Sequence, residues 1–554
     1  MQTSRLRQPF IVALAFVAFA CGGHGERTIA EPSDPPEVAL GERLFLETRF
    51  AQYFAAHSNG VVNAPLSEGD PVMAATITTA APLPGPFAGA SMNCRACHLV
   101  DEHGEERAGG VRTYADFARR SPIPDRGDGR VTTPRNSPAL VNASLARSVP
   151  TFFHFDGEFP SLPALVKGTF TGRNFGWLAD ESAAAIANLA QVIRQDNGQG
   201  SPARDFGSLP YPVVFGGTDP SIPEIYRIPE EFRLDVATAT DEQIFDAVAT
   251  LVTAYVESLV FARDTNGNFA GSPYDRFLRK NGLPRAPLDG ESALDYTRRL
   301  RDQLASRSGL KFISLRDGSF ALHSQEFRFD SLELQGLRIF LAEASDAAAT
   351  QGVGNCVACH PAPAFTDFRF HNTGAAQDEY DAIHGAGGFA ALSIPDLAQR
   401  TADPETYLPP SAAHPQATGI FLAVPALTHP GQTDLGVWNV LGNPAVPGPQ
   451  DALVSSLCGQ FARPAPCSAA DLLPFTVALF KTPGLRDLGQ SAPYLHTGQR
   501  NTIEDVLRFY ITSASLARAG LLRNAAPQLA DIRLSEADIA PVAAFLRALN
   551  EDYE

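Results

Sequence analysis

Two pentapeptides of one pattern constrain this chain more than any other feature: Cys94-Arg95-Ala96-Cys97-His98 and Cys356-Val357-Ala358-Cys359-His360. Thiols three residues apart sit about one helical turn apart, close enough to bond the two vinyl groups of a single porphyrin. The histidine that follows then falls beneath the iron as its proximal ligand. A zinc ribbon would set its cysteine pairs ~15–20 residues apart. Neither zinc nor a dithiol redox pair explains a histidine after both second cysteines. The expectation is two covalent c-type haems, one on Cys94, Cys97 and His98 and one on Cys356, Cys359 and His360.

Covalent haem attachment fits an exported chain, and the N-terminus reads as an export signal over residues 1–20. Arg5 and Arg7 precede an apolar run that is too short to span a membrane. Two processing readings stand side by side. Ala18-Phe19-Ala20 suits a cleavage site, and Cys21 before Gly22-Gly23 suits lipid attachment, although Phe19 is bulky for it. A lipid at Cys21 is the only membrane contact expected. The location implied is the periplasm or cell envelope of a bacterium, with residues 21–37 as a tether. Of 7 cysteines, four go to haem and one is Cys21. Cys458 and Cys467 remain, close enough in sequence for a disulfide in an oxidising compartment.

The formal charge of −17 argues against nucleic acid as a partner. It favours cationic partners, such as a small electron-donor protein of the cytochrome or cupredoxin kind. Helical apolar spacing begins at residue 38 and returns at 181–194, 241–261, 332–342 and 535–549. An Asn501-x-x-Glu504 capping box announces a further helix, with Ile503, Val506, Leu507 and Tyr510 on its apolar face. Residues 371–475 read mostly as loop. Asp264-Thr265-Asn266-Gly267-Asn268 faintly resembles a calcium loop, but Phe269 stands where that loop needs glycine, so an Asx turn is expected. No alternation of strand period is sustained. The class is mainly α: two cytochrome c-like helical domains, each with one covalently bound haem, and long loop insertions. The boundaries expected are 38–270 and 331–554, with 271–330 connecting them.

Several segments, in order, resemble the bacterial di-haem cytochrome c peroxidase family and its MauG-type branch. Before and around the first haem motif they are Leu40-Gly41 to Phe45, Pro134-Arg135-Asn136-Ser137-Pro138, Phe155-Asp156-Gly157 and Ser272-Pro273-Tyr274-Asp275-Arg276. Around the second they are Phe365-Thr366-Asp367, Phe370-His371-Asn372-Thr373-Gly374, Lys481-Thr482-Pro483 and Pro493-Tyr494-Leu495-His496-Thr497-Gly498. The resemblance implies a calcium ion between the domains, at Asn136 and the backbone carbonyls of Lys481 and Pro483. It also implies that the second haem takes Met or Tyr as its sixth ligand. Met occurs only at 1, 73 and 92, whereas Tyr510, at the end of the helix after residue 498, falls where the MauG-type tyrosine lies.

The family's resting peroxidases close the first haem with a histidine from the loop before Pro134. Here that loop reads Asp125-Arg126-Gly127-Asp128-Gly129-Arg130, so the first haem is expected to be open unless His57, His103 or His154 reaches it. Counting from Phe155-Asp156-Gly157, the family's interhaem Trp falls on Phe155. Its distal Gln and Glu fall on Leu165 and Phe175. Acid–base help of roughly 10²–10⁴-fold is then missing from the catalytic pocket. An open first haem favours an enzyme, a peroxidase or oxidase acting on peroxide or oxygen and relaying electrons through the second haem. Missing proton donors favour an electron-transfer cytochrome, and an apolar pocket favours a di-haem oxygenase of an apolar substrate. The sequence leans to the enzyme.

Overall fold

A computed structural model describes residues 34–552 apart from 64–91, 95–96, 101–111, 115–119 and short stretches at 122, 146, 148–149, 151, 201–202, 204–206, 321–322, 324, 346–351 and 447–449. The signal, Cys21, most of the tether, Met73 and His103 lie outside these residues. The described residues from 35 onward form one compact unit. It is mainly helical, and its only named strands among the described residues make two short antiparallel pairs.

The first core is built from four helices, Pro36–Phe45, Leu162–Phe170, Ser182–Gln195 and Asp241–Ser258. The last of these opens on a capping box in which the Thr240 hydroxyl accepts from the Gln243 N–H, while the Gln243 side chain accepts from the Thr240 N–H. Pro36–Phe45 crosses it so tightly that a Cβ on Gly41 would lie 2.1 Å from the Leu251 carbonyl oxygen. Only glycine permits that approach. Behind the crossing, Arg43 and Arg49 meet Asp196 at 2.8 and 3.0 Å, all three side chains almost fully buried.

A second core repeats the arrangement. Ser331–Leu341 starts from an Asp330 capping box and packs on Glu536–Arg547. A Cβ on Gly336 would lie 1.9 Å from the Pro541 carbonyl oxygen. The segment expected to be a connection, 271–330, carries helices Pro273–Lys280 and Ala293–Ser306, whose apolar faces enter this second core. Buried Asp275 holds Arg486 through two contacts of 3.0 Å, fastening that segment to the chain near the second half's C-terminus.

Residues 371–475 depart from the loop reading. They include helices Ala375–His384 and Gln450–Gln460 and build a third core around Trp438, Phe421 and Leu435. Proline and glycine at the helix ends masked short helices whose apolar faces turn toward this local core. The Arg400 guanidinium donates to the Trp438 and Leu441 carbonyls inside it, and Cys458 and Cys467 form the expected disulfide. The helix expected after residue 501 runs Ile503–Arg518. Thr502 caps it, accepting from the Asp505 N–H at 3.1 Å, in place of the Asn501/Glu504 pair. Tyr510 therefore stands in mid-helix and not at its end. The Asp264 loop is an Asx turn, its carboxylate accepting from the Asn266 and Asn268 N–H groups at 3.0 Å.

Candidate haem site

Both Cys-x-x-Cys-His segments close the same turn. His98 and Cys97 N–H groups donate to the Cys94 carbonyl at 2.9 and 3.1 Å, and His360 and Cys359 to the Cys356 carbonyl at 2.7 and 3.2 Å. None of the four cysteines is in a disulfide. Burial pushes the Cys94 thiol up, and the Cys356 thiol up to about 12, so neither is poised as a nucleophile in its own right.

The two histidines differ. His360 Nδ1 hydrogen-bonds the Phe365 carbonyl at 2.9 Å, which fixes the ring and commits the other nitrogen to whatever the ring faces. Burial holds it neutral against the pull of that carbonyl. Burial lowers His98 to about 4, only partly offset by the Pro138 carbonyl, and its Nδ1 has no hydrogen bond of good geometry.

A cavity of about 400 Å³, of the size usual for a cofactor site, brings together Cys356, Cys359, His360 and Tyr510. Burial first, then the Cys359 and Cys356 sulfurs, pushes the Tyr510 phenol above its ordinary range. Paired thiols, an imidazole tied back at one nitrogen and a phenol on one mostly apolar wall suit a covalently attached haem with an oxygen ligand. The same cavity runs past Leu140, Val141, Leu162 and Leu165 of the first half, and past Phe155. Cys94, Cys97 and His98 are not on its wall, although both cysteines pack against the first core.

Of the two distal positions, Leu165 lines the cavity and Phe175 does not. Phe175 lies on the Arg173–Phe175 turn and packs edge-on against Phe170 at 5.1 Å, inside the first core. His57 hydrogen-bonds the Tyr53 carbonyl at the surface, at 2.7 Å. His154 lines the cavity, pairs with Glu158 at 2.9 Å and is near enough to His98 to disfavour its protonation.

The motif segments bind one another around this cavity. Arg135 grips Asp434 through contacts of 2.5 and 2.9 Å and Asp156 at 2.6 Å, joining the first half to the third core. Burial works against ionising Asp434, but Arg135 outweighs it and holds that carboxyl below its usual range. Asn136 donates to the Pro493 carbonyl at 2.5 Å, while its Oδ1 is buried without a hydrogen bond, as a calcium ligand would be. Lys481 and Pro483 share the wall, but the Lys481 ammonium, donating to the Phe152 carbonyl at 2.8 Å, brings a cation there already. Burial, then Arg147, lowers that ammonium to about 7.

Two wall residues had no assigned role in the sequence. His496 stacks on Phe480 at 3.5 Å and is lowered by burial to about 3. Arg147 lies outside every motif segment, and nothing in its neighbourhood of the sequence would single it out.

No protein-family model matches the chain, and no curated protein matches it. Among solved structures it is similar to the diheme peroxidase BthA from Burkholderia thailandensis, at 15% identity over 94% of this chain and 86% of that one, TM-score 0.43. It is also similar to a MauG-like protein associated with microbial copper homeostasis, at 16% identity over 95% and 92%, TM-score 0.42.

Proposed function

We propose that the chain is an exported di-haem c-type cytochrome oxidoreductase, a peroxidase or oxidase of MauG type. The single observation that carries this is the duplicated Cys-x-x-Cys-His turn, the second copy sharing a cavity with Tyr510. Haem held at His98 and His360 would supply one-electron storage and, at a free face, activation of peroxide or oxygen. Cys94 and Cys97, and Cys356 and Cys359, would each make two thioether bonds. The Phe365 carbonyl keeps His360 in the tautomer whose other nitrogen is free to ligate. Tyr510 would give the second iron a hard oxygen donor that favours its ferric state. Leu165 offers no proton at the wall it lines, so proton delivery falls to other groups or the reaction is slow.

The electron donor would be a small basic cytochrome or cupredoxin meeting the acidic surface in the periplasm. Calcium would enter this reading at Asn136 Oδ1. The run of Leu140, Val141, Leu162 and Leu165 along the cavity favours one second reading, an oxygenase of an apolar substrate.

The test uses the purified full chain carrying its haems. Two covalent haems by pyridine haemochromogen are expected, with a five-coordinate ferric EPR signal that peroxide changes. Two low-spin six-coordinate haems, inert to peroxide and, once reduced, to oxygen, would leave only the electron carrier. Tyr510→Phe is expected to convert one low-spin signal, and an unchanged spectrum removes Tyr510 from the iron.

A further inference from the structure

Arg147 and Lys481 are two cations on the wall of a largely apolar cavity, and among the described residues neither forms an ion pair. Both flank one ring. The Arg147 guanidinium carbon and Lys481 Nζ each lie 5.7 Å from the centre of Phe153. Arg147 donates from Nε to the Leu145 carbonyl at 3.2 Å and from Nη2 to the Ala143 carbonyl at 2.9 Å, with Phe368 under its plane at 4.4 Å. Lys481 Nζ donates to the Phe152 carbonyl at 2.8 Å, which uses one of its three protons. Asp156 acts electrostatically on Lys481, but its carboxylate is already taken by Arg135 at 2.6 Å and by the Glu158 N–H at 3.2 Å.

Two like charges on half-buried side chains beside one ring, with carbonyls as their hydrogen-bond acceptors, repel one another unless an anion joins them. Arg and Lys offer the charge-assisted hydrogen bonds that a carboxylate takes most strongly. The wall around them is apolar, so the ligand must carry that carboxylate on an apolar body.

We infer that Arg147 and Lys481 form a carboxylate-binding wall, flanking Phe153, that anchors the acidic arm of an otherwise apolar ligand in the cavity. Such an arm has two sources: a porphyrin propionate, which rests on the function proposed above, or the headgroup of a free fatty acid. A propionate held by two cations stabilises the reduced haem, whose net charge is more negative, so losing one cation favours the oxidised form.

The experiment takes the full haem-loaded chain with Lys481→Gln and Arg147→Gln, and with Lys481→Arg and Arg147→Lys as charge-keeping controls. Potentiometric titration is expected to show one haem at least tenfold harder to reduce in each glutamine variant, about 59 mV for one electron, and unchanged in the controls. Calorimetric titration with laurate reads the other source, and does so whether or not haem is present. Binding by the parent chain that weakens at least tenfold in the glutamine variants assigns the wall to a free acid. Potentials that stay put together with laurate binding that is absent, or indifferent to all four variants, overturn the inference. The haem count by pyridine haemochromogen reports on the proposed function separately.

Discussion

The two halves of the molecule use the same parts to different effect. Each packs a glycine-bearing helix on a later helix, Gly41 against Leu251 and Gly336 against Pro541, and each follows it with a Cys-x-x-Cys-His turn. The second half then fixes its histidine through the Phe365 carbonyl and brings Tyr510 into the same cavity. The first half leaves the His98 Nδ1 without a good partner and faces the cavity with Leu162 and Leu165. A histidine whose second nitrogen is tied is a more basic, better oriented ligand. The second half thus fixes its imidazole on the wall of the cavity it shares with Tyr510, while the first leaves its imidazole less constrained and off that wall. Under the function proposed above, that difference would separate a relay centre from a reactive one.

Removing the buried carboxylates would break the comparison most strongly. Asp196→Asn in the first half takes the carboxylate from Arg43 and leaves Arg49 to Glu47 alone, and Asp275→Asn in the second takes it from Arg486; each should cost about 3–5 kcal/mol in denaturant unfolding. Hydrogen exchange should place the loss in the mutated half. Equal exchange in both halves would mean that they unfold as one. Next come the crossings: Gly41→Ala and Gly336→Ala should each cost about 3 kcal/mol, at the upper end for overpacking, because a new Cβ would meet a backbone oxygen at 2.1 and 1.9 Å. A variant that unfolds at the parent temperature would show that the two helices slide apart freely.

Reducing Cys458–Cys467 should cost about 2–3 kcal/mol, as expected for a loop this short. The change should appear in exchange of the third core and leave both halves alone.

The smallest effect is a pH slope. Burial raises the Glu551 carboxyl to about 8, against an unfolded value near 4.5, while Arg486 pulls the other way. A group raised in the folded state gives stability that is complete below 4.5 and lost as pH rises through 8. Glu551→Gln keeps the hydrogen bond from the Ala262 N–H, at 2.6 Å in the parent, and should flatten that slope. A slope that survives the substitution would assign it to another group.

Local chemistry was legible from the chain alone, because it depends on residues a few places apart. The spacing of Cys94–His98 and Cys356–His360 sets the two turns, the apolar period places the main helices, and the Asp264 side chain closes its own Asx turn. Gly41-Glu42-Arg43-Leu44-Phe45 and Gly336-Leu337-Arg338-Ile339-Phe340 even repeat one pattern, Gly-x-Arg followed by two apolar residues, which marks the duplicated crossing. The Arg135–Asp434 and Asp275–Arg486 pairs were not legible, since their partners lie 299 and 211 residues apart. Nor was the third core, whose short helices are stabilised by what they pack against and not by a strong period of their own. Tyr510 could be placed on an apolar stripe, but only tertiary packing decided that this stripe faces Cys356, Cys359 and His360. By the same cause Phe175 turned inward and Arg147 joined the wall: sequence fixes which faces are apolar, and long-range packing decides what each face meets.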